Sequence, residues 1–320
     1  MSEAPRVGLL MPQYDCPIGT ALETARAADE VGIDIWLAGQ LFPISASPEK
    51  PAFEPLALMG AIAQATGRSR LGFMALAAPY LPAVYLAKAL ITLDHLSGGR
   101  LEVGLGAGWR KEEFEALELD FGGPGARRGR LDAALDALFA LSAGEAAGNE
   151  IGDPVRSGPQ AVQSPHPPVW IGGSGPRMLE LVGRRATWAN FARGISAEDF
   201  ATAGATVREA ARAAGRAAGE PRLSLTGTFL ASEDVDGVAA KLAERAGVKG
   251  VDPEDYRAQL LAANALLGTP EQIADQLTGH LRAGCEALVL WPLDGDHTGA
   301  VSSLARLRRI LAERTERAGA

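Results

Sequence analysis

Leu93-Asp94-His95-Leu96-Ser97-Gly98-Gly99-Arg100-Leu101-Glu102-Val103-Gly104-Leu105-Gly106-Ala107-Gly108-Trp109 is the stretch on which the fold turns. It reads as the end of a helix, a Ser97-Gly98-Gly99 break, a short apolar strand from Leu101 to Leu105, and a glycine turn, Gly106-Ala107-Gly108. Glycines just past a strand permit unusual dihedrals and let a flat or anionic ligand approach the main chain closely. Any tight strand-to-helix turn also favours glycine, so this turn decides nothing alone. A second one, Trp170-Ile171-Gly172-Gly173-Ser174-Gly175-Pro176, follows another short apolar run. Two such turns after two buried strands point to one cofactor spanning the C-terminal ends of a parallel sheet.

Working outward, the chain alternates strand and helix. Apolar strands are predicted at Val7–Met11, Ile33–Leu37, Leu71–Leu76, Leu101–Leu105, Val169–Ile171, Thr187–Phe191, Arg222–Leu230 and Ala287–Trp291. Helical spacing marks the segments between them, among them Thr20–Val31 stopped by Gly32, Pro55–Thr66, Ala83–Leu96, Arg128–Ser142 and Ala197–Gly215. Residues 234–267 read as two helices broken at Pro253, and Pro270–Ala283 as one helix with proline at its first position. Gly144–Pro168 is the longest loop candidate. About eight strand–helix repeats with right-handed crossovers give an α/β fold, a (β/α)8 TIM barrel, with an open doubly wound sheet as the competing topology. No linker or composition break divides the chain, so one domain is expected over residues 1–320.

Composition narrows the partners. Hydrophobic residues make up 47%, enough for a large core, and the net charge of −8 argues against nucleic acid or an anionic membrane. No apolar run approaches the roughly 20 residues of a membrane span, and Met1-Ser2-Glu3-Ala4-Pro5 lacks a signal pattern. Cys16 and Cys285 lie far apart and form no metal or redox spacing. A cytoplasmic protein acting on a small molecule, with no metal site, is the expectation.

The glycine turns exclude two familiar chemistries. Gly104 to Gly108 has the wrong spacing for a dinucleotide fingerprint, and no acidic residue closes a second strand about 20 residues on. Gly172-Gly173-Ser174-Gly175-Pro176 nearly mimics a nucleophile elbow, but ends in proline, and none of the 4 histidines has an acidic partner at a recognisable spacing. The turn makes better sense as an anion cradle: the amides of Gly172, Gly173, Ser174 and Gly175 stand at a predicted helix N-terminus, and Ser174 adds a hydroxyl. The plainer alternative is a glycine-rich cap. Trp109, following the first turn, is expected at the barrel mouth, where it either borders a ligand or plugs the barrel.

These residues also carry a family resemblance. Leu93-Asp94, Leu96-Ser97, Gly99-Arg100-Leu101, Gly104, Gly106 and Gly108-Trp109, followed by Pro167-Pro168 and Ile171-Gly172-Gly173 with Gly175, resemble the luciferase-like flavin and deazaflavin oxidoreductases. Ile35-Trp36-Leu37 and Gly268-Thr269-Pro270-Glu271 add matches near either end, so the likeness runs from Val7 to about Leu311. It implies a single TIM barrel of the bacterial luciferase-like type with loop insertions at its C-terminal face. It implies coenzyme F420 as cofactor, with FMN as the alternative, bound by Gly39, Met74, Ala75, Gly106, Ala107, Gly108, Gly172, Gly173, Ser174 and Gly175. It further implies a bulge with a cis peptide between Met74 and Ala75, a homodimer, and a separate flavin reductase if FMN is used. Gln40 and Trp109 occupy the positions where catalytic groups are expected.

Departures matter as much. Relatives that oxidise alcohols or sugars commonly have Asp-His after the second strand, where this chain has Gly39-Gln40, and the sugar oxidisers place a glutamate at the position of Trp109. Glutamine orients by hydrogen bonding but is no general base near neutral pH. Where many relatives have Ala-Asp-Gly-Trp-Asn, Ala186-Thr187-Trp188-Ala189-Asn190 keeps only the ends. The sequence therefore speaks for hydride transfer, to an activated C=C or C=N bond for example, or for an FMN-dependent monooxygenase; a barrel that only binds a partner is the third reading.

Overall fold

The computed structural model describes residues 4–43, 51–148, 152–192 and 194–319. Ten parallel strands run in chain order: β1 (Arg6–Leu10), β2 (Asp34–Leu37), β3 (Leu71–Phe73), β4 (Leu76–Ala77), β5 (Leu101–Gly106), β6 (Val169–Gly172), β7 (Trp188–Phe191), β8 (Arg222–Ala231), β9 (Leu266–Gly268) and β10 (Cys285–Pro292). Neighbours pair in the order β10-β1-β2-β3-β5-β6-β7-β8, and a further β10–β8 pairing closes the ring. This is the expected (β/α)8 barrel and not the open sheet.

Three features differ from the sequence reading. The third strand is split, because pairing with β5 stops at Gly72 and resumes at Leu76, and the intervening Met74–Ala75 bond is cis. That bond lies where the family resemblance put it. Second, Leu266–Gly268 is not helical: it adds as β9 beside the far end of β8, too short a run to signal a strand. Third, Pro270–Ala283 is two helices, Pro270–Gln276 and Thr278–Arg282, separated at Leu277. The stretch expected as the longest loop, Gly144–Pro168, holds no helix or strand among its described residues beyond an isolated bridge between Ala147 and Val155, and 149–151 within it lie outside the described residues.

Alternation along the strands sorts side chains into barrel interior and helix-facing shell. The outward set (Leu9, Ile35, Leu71, Phe73, Val103, Leu105, Ile171 and others) packs under the helices in the main core. The inward set changes character from base to mouth. At the base, Glu102 is 1% exposed; its Oε1 accepts from Arg6 Nη1 and Arg70 Nε at 2.8 Å each, and its Oε2 accepts from Trp170 Nε1 at 2.6 Å. Arg6 also pairs with Asp34 at 2.7 Å. Burial pushes the Asp34 carboxyl up against the downward pull of Arg6. Above this base lie Trp36, Trp170 and Trp188; Trp170 and Trp188 stack with centroids 4.5 Å apart. Trp36 fits only because Gly8 and Gly72 flank it, since a Cβ on either would stand within 2.5 Å of its ring.

Both cysteines are buried and free, and burial pushes the Cys285 thiol up to about 12. No helix among the described residues is long and apolar enough to cross a membrane.

Candidate functional site

The inward positions nearest the mouth are Leu10, Ala38, Met74, Gly106, Gly172, Asn190, Thr226 and Trp291, one from each strand or strand end of the ring. All eight line a cavity of about 460 Å³ at the C-terminal end of the barrel. Its volume comes from what the sequence omits. A Cβ built on Gly106 meets nothing closer than 3.9 Å, so a side chain there would stand in the cavity.

The sequence-predicted site residues converge to a large extent. Gly39, Gln40, Met74, Ala75, Gly106, Ala107, Gly108, Trp109, Gly172 and Gly173 line this cavity. Ser174 and Gly175 do not line it; they are exposed and lie at the rim, where Gly175 caps the helix Pro176–Arg185. Trp109 borders the opening, 63% exposed, and therefore does not plug the barrel. Gly39 has a packing duty as well: a Cβ on it would lie 2.0 Å from the Ala75 carbonyl oxygen. At Gly173, φ is +154° and a Cβ would meet Met178 Cγ at 2.2 Å. Among the described residues none of the four histidines lines the cavity, and no group of three His, Cys, Asp or Glu converges as a metal site.

Sequence reasoning missed two polar devices. The first is Glu113, on the short helix Lys111–Ala116, which is 1% exposed and lines the cavity. Its Oε1 accepts from the Leu41 and Phe42 backbone N–H groups at 3.1 Å each, and its Oε2 accepts from the Tyr80 hydroxyl at 2.5 Å. Arg110 Nη1 donates to the Phe42 carbonyl at 2.9 Å and stands 3.4 Å from Glu113 Oε1. The Tyr14 hydroxyl donates to the Gln40 carbonyl at 2.9 Å. The segment carrying Gln40 is thus clamped by its main chain, while its side chain lines the cavity. Burial raises the Tyr80 hydroxyl well above the usual tyrosine range, and its bond to Glu113 raises it further. Burial, then the Glu113 charge, raises Tyr14 likewise.

The second device is Asn190. Its Oδ1 accepts from Ser224 Oγ at 3.1 Å and from Thr226 Oγ1 at 3.0 Å. These bonds fix the amide so that its nitrogen, 3.7 Å from where a Gly172 Cβ would be, is the donor end at the cavity wall. Alternation along β7 and β8 could have brought these three together from sequence; nothing in the run Lys111-Glu112-Glu113-Phe114-Glu115 distinguishes Glu113 from its neighbours.

Comparison with known proteins agrees with the barrel fold. An uncharacterised protein of Mycobacterium tuberculosis is 40% identical over 129 residues, which is 38% of this chain and 43% of that protein, so the match spans less than half of that relative. A structure described as an F420-dependent secondary alcohol dehydrogenase in complex with an F420-acetone adduct has a TM-score of 0.76 at 17% identity, covering 95% of this chain and 98% of that one. The oxygenating constituent of 3,6-diketocamphane monooxygenase of Pseudomonas putida, in complex with FMN, has a TM-score of 0.77 at 17% identity, covering 97% and 98%. At that identity both show the fold alone. The family model for luciferase-like monooxygenases matches residues 5–286, and the chain belongs to that family.

Proposed function

We propose that this protein is an oxidoreductase that binds coenzyme F420 in the mouth cavity and transfers hydride between it and a small organic substrate. The observation that carries this reading is the glycine-made cavity: Gly106 and Gly172 leave open two adjacent positions of the eight inward ones nearest the mouth, with Ala75 the small residue between Gly39 and Gly106. A flat tricyclic ring fits such a recess, and the rim at Ser174 and Gly175 suits the phosphate of its tail. When bound, the deazaflavin supplies a carbon that accepts or gives hydride. The chain's own residues do the rest: Ala75 and the glycine walls leave room for the ring, Asn190 offers an oriented donor, and the clamp on Leu41 and Phe42 holds Gln40 at the wall.

The FMN-bound structural neighbour supports a second reading, an FMN-dependent monooxygenase served by a separate reductase. A homodimer accords with the family likeness under either reading. Titration of the purified protein with F420 and with FMN, followed by fluorescence, separates them. The first reading expects F420 binding at about 10 μM or tighter and FMN binding much weaker; binding of FMN alone gives the second, and binding of neither removes both.

The rim has its own test. A Cβ on Gly175 meets nothing within 4 Å, and φ there is −76°, so Gly175→Asp is sterically free. Aspartate is also a good N-cap, so thermal stability should hold or rise. Its charge would oppose a cofactor phosphate, and binding should weaken by about tenfold or more. Unchanged affinity would take the phosphate away from this turn.

A further inference from the structure

Resting on the reading of the mouth cavity as the site of cofactor and substrate, we propose that the substrate is a largely hydrocarbon, uncharged ring compound that projects past the mouth, and that its outer part stacks on Trp109. Of the 5 tryptophans Trp109 alone is exposed. No described residue stacks on its ring or hydrogen-bonds its indole nitrogen, although the residue lines the cavity. An uncovered indole at the edge of an apolar recess is surface that a bound molecule takes out of water. A small substrate enclosed by the recess would leave that surface wet; one that reaches beyond the opening covers it.

Trp109 is held in place from both sides. Before it, Gly108 has φ of +78°, and a Cβ there would stand 2.8 Å from the Phe114 ring, so the turn is pinned against Phe114. After it, Arg110 Nη1 donates to the Phe42 carbonyl at 2.9 Å. That bond ties the Trp109 turn to a second exposed aromatic, since Phe42 is 43% exposed. The platform is therefore set before any ligand arrives, which lowers the ordering cost of binding. Trp109 also lies three residues past Gly106, on the turn that walls the proposed ring seat, so a molecule lying over that ring meets Trp109 as it leaves the mouth.

Inside the rim the wall is chiefly hydrocarbon, from Leu10, Ala38, Met74, Ala77, Met178 and Trp291. Its polar side chains are largely taken up by one another. The Tyr80 hydroxyl donates to Glu113 Oε2, Glu113 Oε1 accepts from the Leu41 and Phe42 N–H groups, and Asn190 Oδ1 accepts from Ser224 and Thr226. The Gln40 side chain and the Asn190 nitrogen remain, two neutral amide groups that can serve one polar group of a ligand. No lysine, arginine or histidine is among the described residues lining the cavity. A charge buried against such a wall would go unpaired, at a cost that a hydrocarbon body avoids.

The test varies ligand and protein together. Cyclohexanone, 4-isopropylcyclohexanone, 4-cyclohexylcyclohexanone and 4-cyclohexylcyclohexanecarboxylate are titrated calorimetrically into the full-length protein, loaded with oxidised F420 and again without cofactor. In the wild type, affinity should rise about tenfold or more from the smallest to the largest ketone. In Trp109→Ala that rise should fall to about threefold or less while F420 affinity holds, and Trp109→Phe should restore most of it. Trp109 is exposed, so both variants should keep the wild-type melting temperature. Acrylamide quenching gives a second readout: the accessible emission, identified as Trp109 by its loss in Trp109→Phe, should become shielded when the largest ketone binds. An equal rise in wild type and Trp109→Ala, or emission still open to acrylamide with the ketone bound, overturns the stacking. A flat wild-type series overturns the projecting substrate, and a carboxylate that binds as tightly as its ketone overturns the uncharged class. If F420 fails to bind while the ketone series behaves as expected in the cofactor-free protein, the cofactor reading falls and the substrate class stands; F420 binding with a flat series gives the reverse.

Discussion

A Gly104→Ala protein is expected to lose its fold, at a cost of about 4 kcal/mol or more, in the range reserved for severe backbone clashes. The added methyl would stand 1.6 Å from the Phe73 carbonyl oxygen, and the obstacle is main chain, which cannot swing aside as a side chain can. Strand β5 would have to move away from the end of β3, opening the wall of a closed barrel. Soluble yield and a circular-dichroism melt check this. A soluble variant melting within a few degrees of wild type would show that the wall yields more easily than its geometry implies.

The second large effect lies two residues earlier. Glu102→Gln keeps the shape and an acceptor for Trp170, but removes the negative charge that Arg6 and Arg70 share. Breaking a buried ion network from one side leaves charges uncompensated and costs about 3 kcal/mol, or roughly 4–5 °C in melting temperature for a chain of this size. Arg6 keeps Asp34, which limits the loss. A melting temperature unchanged from wild type would mean that water reaches the base of the barrel and replaces the carboxylate.

Both positions belong to the stretch that decided the fold, and they show what a sequence reveals and what it conceals. Leu101, Val103 and Leu105 announced the strand because burial on the helix side demands apolar residues. Glu102 and Gly104 face inward on the same strand, where function and close packing set the composition, so their roles emerged only once the ring closed. The cavity was legible through its glycines and through the family pattern, whose Met74, Ala75, Gly106 to Gly108, Gly172 and Gly173 all line it. Ser174 and Gly175 fell at the rim because the helix after them begins at Pro176, turning the chain away from the barrel axis. Glu113 was illegible: in a run of three glutamates, helix phase decides which one is buried, and that phase follows from Phe114 seating against Tyr80 and Phe121. Leu266–Gly268 escaped for a different reason, since three residues carry no period.

The tryptophans stacked beneath the cavity give the molecule an optical consequence. Trp36, Trp170 and Trp188 fill the barrel directly below the mouth, and Trp291 lines the cavity itself. Their emission overlaps the absorption of flavins and deazaflavins, so any such ring seated above them becomes an energy acceptor at close range. Excitation of the barrel's own indoles would then dim as the cavity fills. Occupancy becomes readable from the unlabelled protein, as a loss of its intrinsic ultraviolet glow.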